Sequence, residues 1–167
     1  MGYVAIPTFT TRQKITAAQW NQYLKGNIES LMARPQGVVS VTAADITTTS
    51  VAPTFVDMDS TNLKVTLTPL RANSIILCWL TGTFINSASN ALNFRLAYGS
   101  GPTYTKQHSH YMTLGLGYMF TMIWYVTGLS AVSTVFKPQW CLGGAGTGSF
   151  KGTTNSYLGQ FAVLEVG

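Results

Sequence analysis

From Tyr111 to Phe136 the chain carries no charged residue. A run of that length either crosses a bilayer as a helix or is taken up by a protein core and its contacts. Its texture decides between the two. Gly115, Gly117 and Gly128 interrupt it, and Thr, Tyr and Ser are interleaved throughout. Its centre, YMFTMIWYV, is aromatic and β-branched, which suits a pleated sheet. No membrane span is expected.

The rest of the chain after Gly37 agrees with that reading. TNLKVTLTPL (61–70) alternates, with Leu63, Val65 and Leu67 on one face and Lys64, Thr66 and Thr68 on the other. NSIILCWLTGTFI (73–85) is a long apolar strand suited to the middle of a sheet, and NALNFRLAYG (90–99) alternates again. VVSVT (38–42), DITTTSV (45–51), TFVDMD (54–59), GYMFTMIWYVTGL (117–129), STVFKPQWCL (133–142) and SYLGQFAVLEV (156–166) complete the set. Turn signals separate them: PLRAN, NSASN, GSGPT, GLSA and GGAGTG. About eight or nine short strands at this spacing predict an antiparallel, jelly-roll-like β-sandwich. Trp79, Trp124 and Trp140 lie within strands and are expected in the core.

One segment has a different period. Thr16 and Gln19 form a T-x-x-Q capping box, and Ile15 and Trp20 are placed for a hydrophobic staple. Ala17, Trp20, Leu24, Ile28 and Leu31 recur at steps of three or four, and Pro35 and Gly37 stop the pattern. The spacing predicts a helix over 17–32. Its apolar stripe either packs on the β domain or joins copies of the chain. Two heptads are too short for a free coiled coil, so the second use needs support from the β domain. The expected organisation is an N-terminal arm and helix (1–37), then a β-sandwich domain (38–167). Trp20, Leu24, Ile28 and Leu31 are the candidate oligomerisation or attachment residues.

Charged residues make up only 9% of the chain, against about 25% in an ordinary soluble domain. So few charges would solvate a lone monomer poorly, which points to a surface covered by other copies or by a larger assembly. The net charge is +5. Arg12, Lys14, Lys25 and Arg34 load the first 36 positions with positive charge, opposed there by Glu29. They are scattered singly, with no basic run and no base-stacking motif, so direct nucleic-acid binding is not expected. Cys78 and Cys141 sit in apolar segments without metal-ligand spacing, which reads as buried thiols. The first residues, MGYVAIPTFTTRQK, lack the apolar stretch of a secretory signal.

The pattern for catalysis is thin. Asp57 and Asp59 would share a face of a strand, giving either solvated acids or a weak cation site. GGAGTGSFKGTT (143–154) lacks the G-K-[ST] ending of a phosphate loop and reads as a hairpin loop. No nucleophile elbow accompanies the two histidines. No enzyme is expected. His108 and His110, in an extended segment, point the same way. On a three-fold axis, three such pairs would offer six imidazoles to an octahedral first-row ion such as iron or nickel; otherwise they are two solvated loop histidines. The segment 99–113 reads as the longest irregular stretch of the β domain. Tyr98, Tyr104 and Tyr111 flank it and are candidate receptor or glycan contacts.

Three blocks carry a resemblance to bacteriophage virion proteins. TGLSAVSTVFKPQWCLGGAGTGSFKGTTNSYLGQFAVLEVG resembles the closing hairpins of such domains, through Gly128, Leu129, Val135, Phe136, Trp140, Thr147 and Glu165. TFVDMDSTNLKVTLTPLRANSIILCWLTGTF is similar to early strands of the tumour-necrosis-factor and complement-head jelly roll. FTTRQKITAAQWNQYLKGNIESL resembles the opening of phage tail and head-appendage proteins, through Ile15, Thr16, Ala17, Ala18 and Asn21. Two positions depart from that pattern: Val132 or Ser133 stands at a usual Gly, and Cys141 at a frequent Arg. The resemblance implies a trimeric, non-enzymatic virion component of tail, fibre or capsid-decorating type, with itself and other virion proteins as partners. The alternatives are a receptor-binding or lectin-like module that meets a host-surface glycan, and a secreted domain of the complement-head type.

Overall fold

The computed structural model describes residues 16–20, 34–40, 44–101, 103–105, 107–152 and 159–166. A helical turn, α1 (Ala17–Trp20), is followed by twelve strands among the described residues. They are β1 (Gln36–Ser40), β2 (Ile46–Thr48), β3 (Val56–Asp57), β4 (Val65–Leu67), β5 (Ile76–Asn86) and β6 (Asn90–Tyr98), then β7 (Thr103–Tyr104), β8 (His108–Met112), β9 (Gly117–Val126), β10 (Thr134–Leu142), β11 (Gly148–Phe150) and β12 (Gln160–Glu165). The helix expected over 17–32 lies mostly outside the described residues, and so do Leu24, Ile28 and Leu31 and the side chain of Trp20.

The strands form two antiparallel sheets. In the first, β1, β12, β5, β11 and β2 run in that order, and β9 pairs with the other side of β5. In the second, β3, β10, β6 and β7 run in order, with β4 on β10 and β8 on β6. The sheets bury their facing sides as a sandwich, the architecture expected from the alternating strands. Leu63, Val65 and Leu67 are buried as their alternation predicted.

Aromatic side chains fill the space between the sheets. Phe84 of β5 stacks on Phe150 of β11 and on Phe120 of β9, each at 4.5 Å, and meets Phe94 of β6 edge-on at 5.1 Å. Gly82 makes this crowding possible. Its φ is +155°, and a Cβ there would collide with the Phe150 ring. The last strand ties one end shut. Glu165, buried at the end of β12, accepts hydrogen bonds from the Ser74 hydroxyl and, at 2.9 Å, from the Leu70 amide.

Two segments expected to be loops contain strands. β8 crosses the stretch read as irregular, and β11 lies inside the Gly-rich 143–154 segment. β8 presents His108, His110 and Met112 inward and Ser109 and Tyr111 outward, an alternation without an apolar signature. β11 is Gly148–Ser149–Phe150, held by β2 on one side and β5 on the other. Gly148 faces the core, where a Cβ would come within 2.8 Å of Leu92. Glycine is selected there by close packing.

Candidate functional site

The two outer faces of the sandwich differ in chemistry. On the first sheet the outward positions of β9, β5, β12 and β1 align in cross-strand rows. One row is Tyr125, Leu77, Leu164 and Gln36; the next is Ile123, Trp79, Ala162 and Val38. Seven of these eight side chains are apolar, and none is charged. Tyr125 is 73% exposed, Ile123 59% and Val38 58%. Beyond them the rows turn polar: the Thr121 hydroxyl donates to the Thr81 hydroxyl at 2.8 Å. Met119, Leu114 and Leu116 then expose further apolar surface toward the β8–β9 turn. An apolar face of this kind is a candidate contact surface, although Ala162 within it is already buried in the single chain.

This face also corrects one sequence expectation. Trp124 and Trp140 are core residues, but Trp79 has the opposite parity on β5 and looks outward, partly exposed. The uncharged run 111–136 is explained in the same way. Its inward half packs the core through Met122, Trp124 and Val126, and its outward half builds the apolar face. No helix among the described residues is long and apolar enough to cross a membrane.

The second sheet is polar outside. Its outward side chains include Asn93 and Arg95 of β6, Ser109 and Tyr111 of β8, and Lys137 and Gln139 of β10. Lys137 Nζ meets Asp57 Oδ2 at 2.8 Å, and Gln139 Nε2 donates to Asp57 Oδ1 at 2.7 Å. Burial works to raise the Asp57 pKa, but the hydrogen bonds from Gln139 and Lys137 outweigh it and leave the carboxyl below its ordinary value. Asp59 is used separately, accepting from the amides of Thr61 and Asn62 at 2.9 and 2.8 Å. These amide bonds, that of Asn62 first, lower its pKa. The two acids therefore serve different local structures and do not converge on a cation.

His108 and His110 do point the same way, and they point inward at the mouth of the sandwich. His110 stacks on Phe120 at 4.3 Å, and His108 meets Trp124 edge-on at 5.7 Å. Burial, and then the neighbouring His108, hold the His110 pKa below its ordinary value. A cleft of about 310 Å³ opens beside His108, lined also by Tyr98, Thr105, Ile123, Trp124 and Tyr125 among others. Among the described residues no group of three or more His, Cys, Asp and Glu side chains is placed to hold a metal ion.

The three tyrosines do not form one site. Tyr98 faces the core side and stacks on Phe136 at 6.3 Å. Tyr104 pairs with Ala97, and Tyr111 with Ala91, six residues away along β6 or about 20 Å. The Tyr111 hydroxyl is held by the Ser89 carbonyl at 2.8 Å. The cysteines are free and buried, as expected. They lie on different sheets, Cys78 in the core and Cys141 beside Asn93 at 3.9 Å.

No family model matches the chain, and no curated protein matches it in sequence. Solved structures do match in shape. The Eiger TNF of S. frugiperda superposes with a TM-score of 0.50 at 8% identity, over 80% of this chain and 94% of that one. The PRD1 vertex protein P5 gives 0.45 at 16% identity, over 80% and 98%. The infectious bursal disease virus Gx-strain structure gives 0.45 at 15%, over 79% of this chain and 33% of that one. At such identities the likeness is one of fold alone, and the match to the Eiger TNF agrees with a jelly-roll-like β-sandwich.

Proposed function

We propose that the protein is a non-enzymatic structural component of a virion, assembling as a homotrimer in a tail, fibre or capsid-decorating position. The observation that carries this reading is the outer face of the β9–β5–β12–β1 sheet. Two cross-strand rows there leave Tyr125, Ile123 and Val38 exposed beside Leu77 and Trp79, without a charge among them. Burying that face against other copies removes apolar surface from water at about 25 cal/mol per Å². The overall charge content of 9% fits a chain much of whose surface is covered in use. The resemblance of the terminal blocks to phage virion proteins supplies the virion and the phage. In this reading the helix expected over 17–32 strengthens the assembly or attaches the domain to its particle.

The testing measurement is the solution mass of the whole chain by light scattering, with metal analysis of the same sample. A mass of three chains supports the trimer, and a clean monomer at high concentration overturns it. One iron or nickel per three chains would support a metal site at His108 and His110 on the three-fold axis and require both to turn out of their packing against Trp124 and Phe120. A metal-free trimer leaves them in that packing.

A second reading, a receptor-binding module, is favoured by the polar outer face of the other sheet. That face carries Tyr104 and Tyr111 and would remain open when the apolar face is covered.

A further inference from the structure

On that polar face Arg95 is held with unusual completeness for a side chain that has no anionic partner among the described residues. Its guanidinium carbon lies 3.6 Å from the centre of the Tyr104 ring and 4.2 Å from that of Phe55. Two rings therefore fix the cation. Its Nε donates to Gln139 Oε1 at 2.8 Å, and Gln139 in turn donates to Asp57, which Lys137 neutralises. The other acids among the described residues are engaged elsewhere: Asp45 with Lys151, Asp59 in its own turn, Glu165 with Ser74 and Leu70. The Nη groups of Arg95 make no hydrogen bond among the described residues, and the patch carries one positive charge beyond its Lys137–Asp57 pair.

Beside this cation is a depression with a structural cause. Lys137, Ala97 and Tyr104 form one cross-strand row, so a methyl group lies between two long side chains. The turn Gly99–Ser100–Gly101 closes one end and Gln139 the other, around a volume of about 180 Å³. Gly99 has a φ of +85°.

We propose that this depression binds one acidic sugar residue, a hexuronate or sialate of a surface glycan. Arg95 is not a wall of the depression but stands directly behind two of its walls, Tyr104 and Gln139, and a guanidinium immobilised there with unpaired terminal donors matches a carboxylate in a way a flexible lysine does not. Tyr104 offers a ring face for the apolar side of a pyranose. Gln139, Ser100 and the turn backbone offer hydroxyl partners. The small, ring-bordered volume favours a single sugar over an extended acidic peptide. The inference goes beyond assembly and is independent of it, because the two surfaces lie on opposite sheets.

The test is titration of the full chain with D-glucuronate, D-glucose, inorganic phosphate and an oligo-glutamate peptide, read by isothermal calorimetry and NMR. Glucuronate is expected to bind saturably and about tenfold or more tighter than glucose or phosphate. Arg95→Gln should lose that preference for glucuronate. Ala97→Leu fills the depression, leaves every charge in place, and should lose glucuronate as well; it keeps the test valid if the Arg95 variant folds poorly. Equal binding of glucose and glucuronate, no saturable binding, or unchanged binding in Ala97→Leu overturns the proposal. Phosphate binding as well as glucuronate reduces the site to a bare anion site. Tighter binding of oligo-glutamate replaces the sugar with an acidic protein partner.

Discussion

Trp79 and Ile123 stand directly opposite each other across β5 and β9, on the face of the sheet turned away from the core. In a lone chain Ile123 is exposed and Trp79 partly so, beside a buried Ala162 and an exposed Val38. Ile123→Lys places a charge at the β9 end of the row, at an outward-facing position. The expected outcome is a shift of the light-scattering mass toward one chain, with folding stability changed by no more than about 0.5 kcal/mol. An unchanged oligomer would move the interface off this face.

Phe84 is the hub of the core, touching Phe94, Phe120 and Phe150. Phe84→Ala removes a fully buried ring between two sheets that cannot close up without moving both. The loss should be about 3–5 kcal/mol in urea unfolding. By contrast Tyr111→Ala, at an exposed position whose hydroxyl holds one carbonyl, should lose about 1 kcal/mol or less.

His110 supplies a pH dependence with a definite sign. Burial and the proximity of His108 depress its pKa in the folded chain, so folding favours the neutral ring. Its contribution is fully present above the ordinary histidine value of about 6.5 and is lost as pH falls through the lowered folded value. Melting temperature should therefore drop between neutral pH and mildly acidic pH. His110→Phe keeps the stack on Phe120 and should flatten that part of the profile. An identical slope in the variant would assign it to other groups.

Both thiols should be silent in the native protein. Cys78 is buried in the core, where desolvation pushes its pKa up to about 12, and burial also raises that of Cys141. A disulfide-exchange reagent at neutral pH should label neither until the chain is unfolded, and then both. Fast labelling of native protein would show that the sandwich opens at β5 or β10.

Much of this architecture was legible in the sequence because a strand buried on one side writes its period into the chain. Leu63, Val65 and Leu67 alternate with Lys64 and the threonines, and the structure buries the first set. The sandwich, the buried cysteines and the inward turn of Trp124 and Trp140 follow from such patterns. β8 and β11 were not legible for the converse reason. The inward positions of β8 include two histidines, and β11 places Gly148 inward where packing leaves no room for a side chain.

The candidate surfaces divide along the same line. Residue order alone determined that the 111–136 run belongs to a sheet, because glycine, threonine and aromatic residues at those positions defeat a membrane helix. Only the tertiary structure decided which side of each strand faces a neighbour and which faces water. Trp79, Ile123, Ala162 and Val38 are far apart in sequence and meet only through the register of four strands. Arg95, Phe55, Tyr104 and Gln139 are likewise unremarkable one by one. Period in a strand is local and can be read from adjacent residues, whereas a face is assembled by pairing across the chain, which depends on register and on which sheet each strand joins.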